Sequence, residues 1–129
     1  MSKALDQHQY KDILNLAADK RLKYLLKTVT QQQEIWILID DIGCVMLNSD
    51  EEDCVPVWPN KEFAEAWATG EWQHCHAEKL TLDKWFDRWT PGLLEDELSV
   101  AIFPNQSEEG IILFADEFAD ELHQQQKSS

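Results

Sequence analysis

The stretch "VPVWPNKEFAEAW", residues 55–67, decides the fold, because a β-forming run changes there into a helix-forming one. Its first four residues favour a short strand, in which Pro56 indicates an edge or end position. Asn60 is a typical N-cap residue and predicts a helix over 61–68, which Gly70 would end. The sequence therefore predicts a strand that leads directly into a helix.

A similar unit, "IILFADEFADEL", occupies residues 111–122. Each unit places a phenylalanine four residues before another large apolar side chain, Phe63 before Trp67 and Phe118 before Leu122. Residues at this spacing share one helix face, so each helix is predicted to rest an apolar contact on a sheet. The repetition thus indicates scaffolding. The alternative is an anion-binding groove at the two helix N-termini, which the flanking acids disfavour.

The other segments predict helices packed on a largely antiparallel sheet of five or six short strands, which is an α+β class. Thr81 is an N-cap candidate, and the helix that follows it is predicted to end at Thr90-Pro91-Gly92. In chain order we expect helices near 6–14 and 17–31, a strand over 34–40, its return strand over 44–48, an extended segment over 71–80, a second hairpin over 97–103 and 110–114, and a helix over 115–124.

The length of 129 residues predicts one domain, with residues 1–5 and 124–129 frayed. No apolar run approaches the roughly 20 residues that cross a membrane, and the N-terminus has no secretion signal. Cys44, Cys54 and Cys75 are widely spaced, without a CxxC pair. This usage favours free thiols and a cytoplasmic location.

The net charge of −14 argues against direct binding to the nucleic-acid backbone. An acidic body attracts basic partners, although acidic surfaces also serve solubility, and a duplex mimic is a further alternative. The acidic loop around Asp50, Glu51, Glu52 and Asp53 is the candidate docking segment. We therefore expect another protein as the partner, with a basic one favoured by charge. The sequence indicates neither a membrane partner nor an oligomeric state.

Six tryptophans are many for this length. Tryptophan fills cores, and it is also enriched in the residues that dominate protein interfaces. Trp58, Trp72, Trp85 and Trp89 are therefore candidate anchors for a partner, with burial in the core as the alternative.

The "HCH" run at 74–76 is the strongest candidate for chemistry. On a strand, His74 and His76 would lie on one face and Cys75 on the other. The two histidines, with Glu78, would supply three zinc ligands, whereas the alternative is a solvent-facing strand. No HExxH, CxxC, serine elbow or calcium-loop spacing is present, so we assign no catalytic residue and no cofactor.

Three motifs together resemble a bacterial family that is defined only as a domain of unknown function. They are "WILIDD" at 36–41, "PVWP" at 56–59 and "WFDRWTPGL" at 85–93. The resemblance covers roughly residues 15–122, and it implies a small cytoplasmic α+β protein of Gram-negative bacteria without a transferable activity. Residues 55–64 are also similar to the strand-to-helix element of SseB-like domains.

These features predict a small acidic protein that binds another protein, as an accessory, adaptor or immunity-like factor. The alternative is a small-molecule or metal-linked enzyme centred on His74, His76 and Glu78.

Overall fold

A computed structural model describes residues 12–41, 43, 45–49, 52–68, 73–105 and 111–128. Helices and short strands are interspersed along the chain, which confirms the α+β class. The elements are α1 (Ala18–Gln32), β1 (Glu34–Ile39), β2 (Leu47–Ser49), β3 (Glu52–Val57), α2 (Lys61–Trp67), β4 (His76–Thr81), α3 (Leu82–Lys84), a π-helix (Trp85–Trp89), α4 (Thr90–Glu95), β5 (Ser99–Ile102), β6 (Ile111–Phe114) and α5 (Ala115–Ser128).

The strands of the described residues form two sheets, whereas we expected one. One sheet has the order β2-β3-β5-β6 and the other pairs β1 with β4. All pairs are antiparallel except β3 with β5. Trp36 and Trp58 join the two sheets through reciprocal backbone hydrogen bonds of 3.0 and 2.9 Å.

The hairpin predicted near the C-terminus is confirmed, since β5 and β6 pair from Ser99–Phe114 to Ile102–Ile111. The first predicted hairpin was wrong for most of its length. Val45 donates a hydrogen bond of 2.9 Å to Leu38 of β1, but β2 pairs with β3. Strand propensity identifies a strand without identifying its neighbour, because pairing is set by the packing of whole faces.

Pro56 is the second-last residue of β3 (Glu52–Val57), which agrees with the predicted edge or end position, although β3 is itself an interior strand. β3 has β2 on one side and β5 on the other. The pairing with β2, however, ends at Cys54, so at Pro56 only β5 continues the ladder. A proline is tolerated there because β3 has a pairing partner on one side only at this position, so the missing N–H interrupts fewer hydrogen bonds.

The chain stays helical from Leu82 through Glu95, so the predicted end at Thr90-Pro91-Gly92 was wrong. The Thr81 cap is confirmed, since its Oγ1 accepts a hydrogen bond from the Lys84 N–H at 3.2 Å. The π-helix intervenes before Pro91, which then stands at the start of α4. A proline inside a continuous helix removes one backbone hydrogen bond, and here it stands where π-helical pairing changes to α-helical pairing.

Two further helix ends differ from expectation. Asn60 occupies the predicted N-cap position of α2, but its side chain makes no capping hydrogen bond. The helix α5 continues to Ser128, past residue 124, where we expected fraying. The predicted helix over 17–31 is confirmed as α1. Of the helix expected near 6–14, only residues 12–14 are among those described, and these are helical.

The core lies between the sheets and the helices α1, α2 and α5. Phe63, Phe118 and Leu122 are at most 1% exposed, which confirms that the repeated phenylalanine helices serve as scaffolding. Trp58 and Trp85 have no exposed surface and are the two largest buried side chains. The Trp58 indole N–H donates to the Pro104 carbonyl at 3.0 Å, whereas the Trp85 indole N–H has no hydrogen-bond partner among the described residues.

A fully buried arginine fixes the start of α1 against the segment after β5. Arg21 Nε donates to the Phe103 carbonyl at 2.9 Å, and its Nη1 donates to the Leu16 carbonyl at 2.6 Å. Asn105 Nδ2 adds a bond of 2.7 Å to the Leu14 carbonyl. A buried charge needs such partners, because water no longer solvates it.

The two buried tryptophans predict a difference in stability. We expect Trp58→Phe to lower the free energy of unfolding by about 1–3 kcal/mol more than Trp85→Phe does, because only the first leaves the Pro104 carbonyl without its donor. Both substitutions remove the same atoms, so the loss of packing is matched. Urea unfolding followed by far-UV circular dichroism measures the difference. Equal losses would show that the indole bond contributes nothing net.

Candidate functional site

The tryptophans predicted as binding anchors have different environments. Trp58 and Trp85 are completely buried, which supports the alternative of burial in the core for these two residues. A chain of this size needs large side chains to fill its core, and these two supply them. Trp89 is half-buried and stacks on Trp85 with ring centroids 5.8 Å apart. Trp72 lies outside the described residues.

The predicted acidic docking segment is described only in part. Asp53 is exposed on β3, and Glu52 is the first residue of that strand. Asp50 and Glu51 lie outside the described residues. The strand β2 pairs with β3 here, so Glu52 and Asp53 lie in a paired strand.

An apolar groove with an acidic rim lies where the end of α4 meets the end of β6. Leu94 and Phe114 are 44% and 55% exposed, which is unusual for such large apolar side chains in this protein. They lie in one depression with Leu98, and a neighbouring depression that shares Leu98 extends it to Trp89. We call this the acidic groove. Its apolar residues are Trp89, Leu94, Leu98 and Phe114, and its acidic residues are Asp96, Glu97 and Asp116.

A Schellman motif at the end of α4 positions one side of the acidic groove. The Glu97 N–H bonds to the Leu94 carbonyl at 3.2 Å, and the Leu98 N–H bonds to the Leu93 carbonyl at 2.8 Å. These two bonds define that motif, and it turns the chain sharply from helix into strand. As a result Leu98 is half-buried near buried Leu93, while Leu94 remains on the outside.

Glu97 occupies the position of this motif that usually holds glycine. Its φ is 58°, in the left-handed region that a side chain disfavours by roughly 1–2 kcal/mol. Its side chain is exposed and lines the acidic groove. The backbone thus holds a carboxylate at the rim at a cost in stability, a pattern that is common at functional sites.

The other side of the acidic groove comes from the join between β6 and α5. Phe114 ends β6, and its N–H donates to Glu117 Oε1 at 3.0 Å. Asp116 lies in the first turn of α5 and accepts from the Glu117 N–H at 3.0 Å. Negative charge is favourable at a helix N-terminus, so these acids suit the helix as well as the rim. Arg88 also lines the groove, in the depression that holds Trp89 and Asp96.

The predicted zinc ligands His74, His76 and Glu78 do not come together. His74 lies in a turn before β4, so the alternation of a strand does not apply to it. Of the described residues, only Asp40, His74 and Cys75 gather possible ligand atoms within 4.8 Å of one another. His76 and Glu78 are exposed on β4. The sequence placed the histidines away from Cys75, but His74 Nε2 lies 3.8 Å from Cys75 Sγ.

The Cys75 thiol is not an activated nucleophile. Burial raises the pKa of Cys75 above its ordinary value, and the negative charge of Asp40 raises this pKa further. Nucleophilic attack needs the thiolate, which a raised pKa makes scarcer at neutral pH. The cluster therefore does not support cysteine-dependent catalysis.

The fold and the acidic groove define a small α+β domain with an open surface site. The chain belongs to the family described as "Protein of unknown function (DUF2750)", whose model matches residues 22–122. This confirms the resemblance to an uncharacterised family, with a start at residue 22 where we expected one near 15. No curated protein matches the sequence, and the comparisons give no support to the SseB-like resemblance. Within the described residues, no helix combines the length and the apolar character that a membrane span requires.

The unusual backbone of Glu97 predicts that Glu97→Gly stabilises the protein. We expect the free energy of unfolding to rise by about 0.5–1 kcal/mol, because glycine adopts a positive φ without strain. The control is Glu95→Gly within α4, which we expect to lower it by a similar amount. Chemical denaturation of the two variants measures both changes. A loss of stability in Glu97→Gly would mean that the glutamate side chain stabilises the turn.

Proposed function

We propose that this protein binds another protein by taking up a basic amphipathic segment in the acidic groove. The observation that carries the proposal is the placement of exposed Leu94 and Phe114 beside a rim of carboxylates. The apolar floor fits the apolar side chains of such a segment. The acidic rim fits its lysine and arginine side chains.

The apolar floor would supply most of the affinity. Burying a whole leucine or phenylalanine contributes about 1.5–3 kcal/mol, so covering the exposed half of each would contribute about 1 kcal/mol. Leu94 and Phe114 line the same depression, so a single apolar helix face could cover both. Trp89, half-buried in the connected depression, supplies a flat aromatic surface beyond them.

The acidic rim would supply selectivity for a basic partner and a fast encounter. Asp96, Glu97 and Asp116 are all exposed, so their carboxylates act through water and are screened by salt. The net charge of −14 adds a long-range attraction for cations. Charges at a rim mainly change the association rate and its salt dependence. An acidic partner would be repelled from the same surface.

The free thiols support a reducing compartment as the place of action. Cys54 and Cys75 are both buried and neither forms a disulfide. Reduced cysteines of this kind are typical of cytoplasmic proteins. We therefore place the proposed binding in the cytoplasm.

A designed peptide tests the proposal directly. The probe is a fluorescein-labelled peptide with leucines at helical spacing and lysines elsewhere, and its binding to the full chain is followed by fluorescence anisotropy. We expect binding that weakens as salt rises, because the rim charges are screened. A peptide with the same leucines and glutamates in place of lysines should not bind. Binding of both peptides alike would overturn the electrostatic part of the proposal.

Three variants locate the binding site. We expect Phe114→Thr, Leu94→Gln and Asp96→Lys each to weaken peptide binding by about fivefold, which corresponds to about 1 kcal/mol. The matched control is Glu65→Lys, which makes the same charge change at an exposed position of α2 away from the groove and should keep nearly full affinity. If Glu65→Lys weakens binding as much as Asp96→Lys does, the attraction is a property of the whole surface and the acidic groove is not the site.

A further inference from the structure

The side chains of Asp40, His74 and Cys75 converge at one end of the two-stranded sheet. Antiparallel pairing of β1 with β4 ends at Ile39 and His76. Continuing this register by one residue sets Asp40 opposite Cys75. Residues that face each other across strands have side chains within contact distance. His74 reaches the same place because it lies in the turn before β4.

The backbone of the neighbouring turn holds Asp40 in position. Its N–H donates to the Gly43 carbonyl at 2.8 Å, and its Oδ1 accepts from the Gly43 N–H at 3.0 Å. These two bonds restrict the carboxylate to a narrow range of directions. Hydrogen bonds of this kind orient the ligands of metal sites and strengthen binding.

The distances suit a small tetrahedral ion. A zinc ion about 2.3 Å from sulfur and about 2.0 Å from nitrogen places these two atoms about 3.6 Å apart. Cys75 Sγ and His74 Nε2 are 3.8 Å apart. The ligand atoms of all three residues lie within 4.8 Å of one another, so a shift of about 1 Å by the half-exposed Asp40 side chain would complete the set.

We propose that Asp40, His74 and Cys75 bind a divalent transition-metal ion of the zinc class, which is a second site separate from the acidic groove. One sulfur, one nitrogen and one oxygen ligand favour zinc over magnesium and calcium, which prefer oxygen alone. A water molecule takes the fourth position of a tetrahedral ion held by three protein ligands. On binding, the Cys75 thiol forms the metal–sulfur bond and releases its proton to solvent.

Cobalt(II) is the probe, because a thiolate bound to it gives a near-ultraviolet charge-transfer band and a tetrahedral site gives strong visible bands. The full chain is reduced, freed of metal with a chelator and titrated with cobalt, and zinc is then added to displace it. We expect one equivalent of cobalt to saturate both bands and zinc to remove them. Absence of the charge-transfer band at one equivalent would overturn the proposal.

Single substitutions assign the ligands. We expect Cys75→Ser to abolish the charge-transfer band, and His74→Ala to weaken cobalt binding by more than the roughly 10- to 100-fold that loss of an outer-shell partner costs. The matched control is His76→Ala, which removes an exposed imidazole two residues away and should leave binding unchanged. Far-UV circular dichroism checks the fold of each variant. A charge-transfer band that persists in Cys75→Ser, or equal losses in the two histidine variants, would overturn the assignment.

Discussion

The structure depends on Trp58, because this one residue connects the two sheets, the segment after β5 and the helix α2. Its backbone bonds reciprocally to Trp36 and thereby joins the two sheets. Its indole N–H bonds to the Pro104 carbonyl and fixes the chain after β5. Its ring packs on Trp67 of α2 at a centroid distance of 5.5 Å. Because the side chain is wholly buried, each of these bonds is shielded from competition with water.

With the core fixed in this way, the surface of the protein follows from how the elements end. The helix α4 ends in a Schellman motif, and the tight turn leaves Leu94 outside while Leu93 is buried. The strand β6 ends where α5 begins, and Phe114 at this join lines the same depression as Leu94. The acidic groove therefore forms where the end of α4 meets the end of β6. Glu97 holds a disfavoured backbone conformation there, as Gln33 does at the end of α1.

The cluster of Asp40, His74 and Cys75 likewise depends on where two secondary-structure elements end. Asp40 follows β1, and His74 and Cys75 precede β4. The pairing of β1 with β4 brings these two segments together. The sequence suggested instead a set along one strand, with His76 and Glu78. That set assumed that strand geometry already applies at His74, whereas the strand begins two residues later. The start of the strand thus differs by two residues from the one assumed. Because side chains alternate between the two faces only within a strand, this difference changes which residues come together as ligands.

The sequence by itself determined the α+β class, most of the helices, the C-terminal hairpin and the burial of the two phenylalanine helices, because propensity, capping and apolar spacing act within a few residues. Tertiary structure alone decided which strands pair, which tryptophans are buried and where Leu94 and Phe114 lie exposed. These outcomes depend on contacts between residues far apart in the chain, and the local pattern is the same for a tryptophan that fills the core and one that lies at the surface.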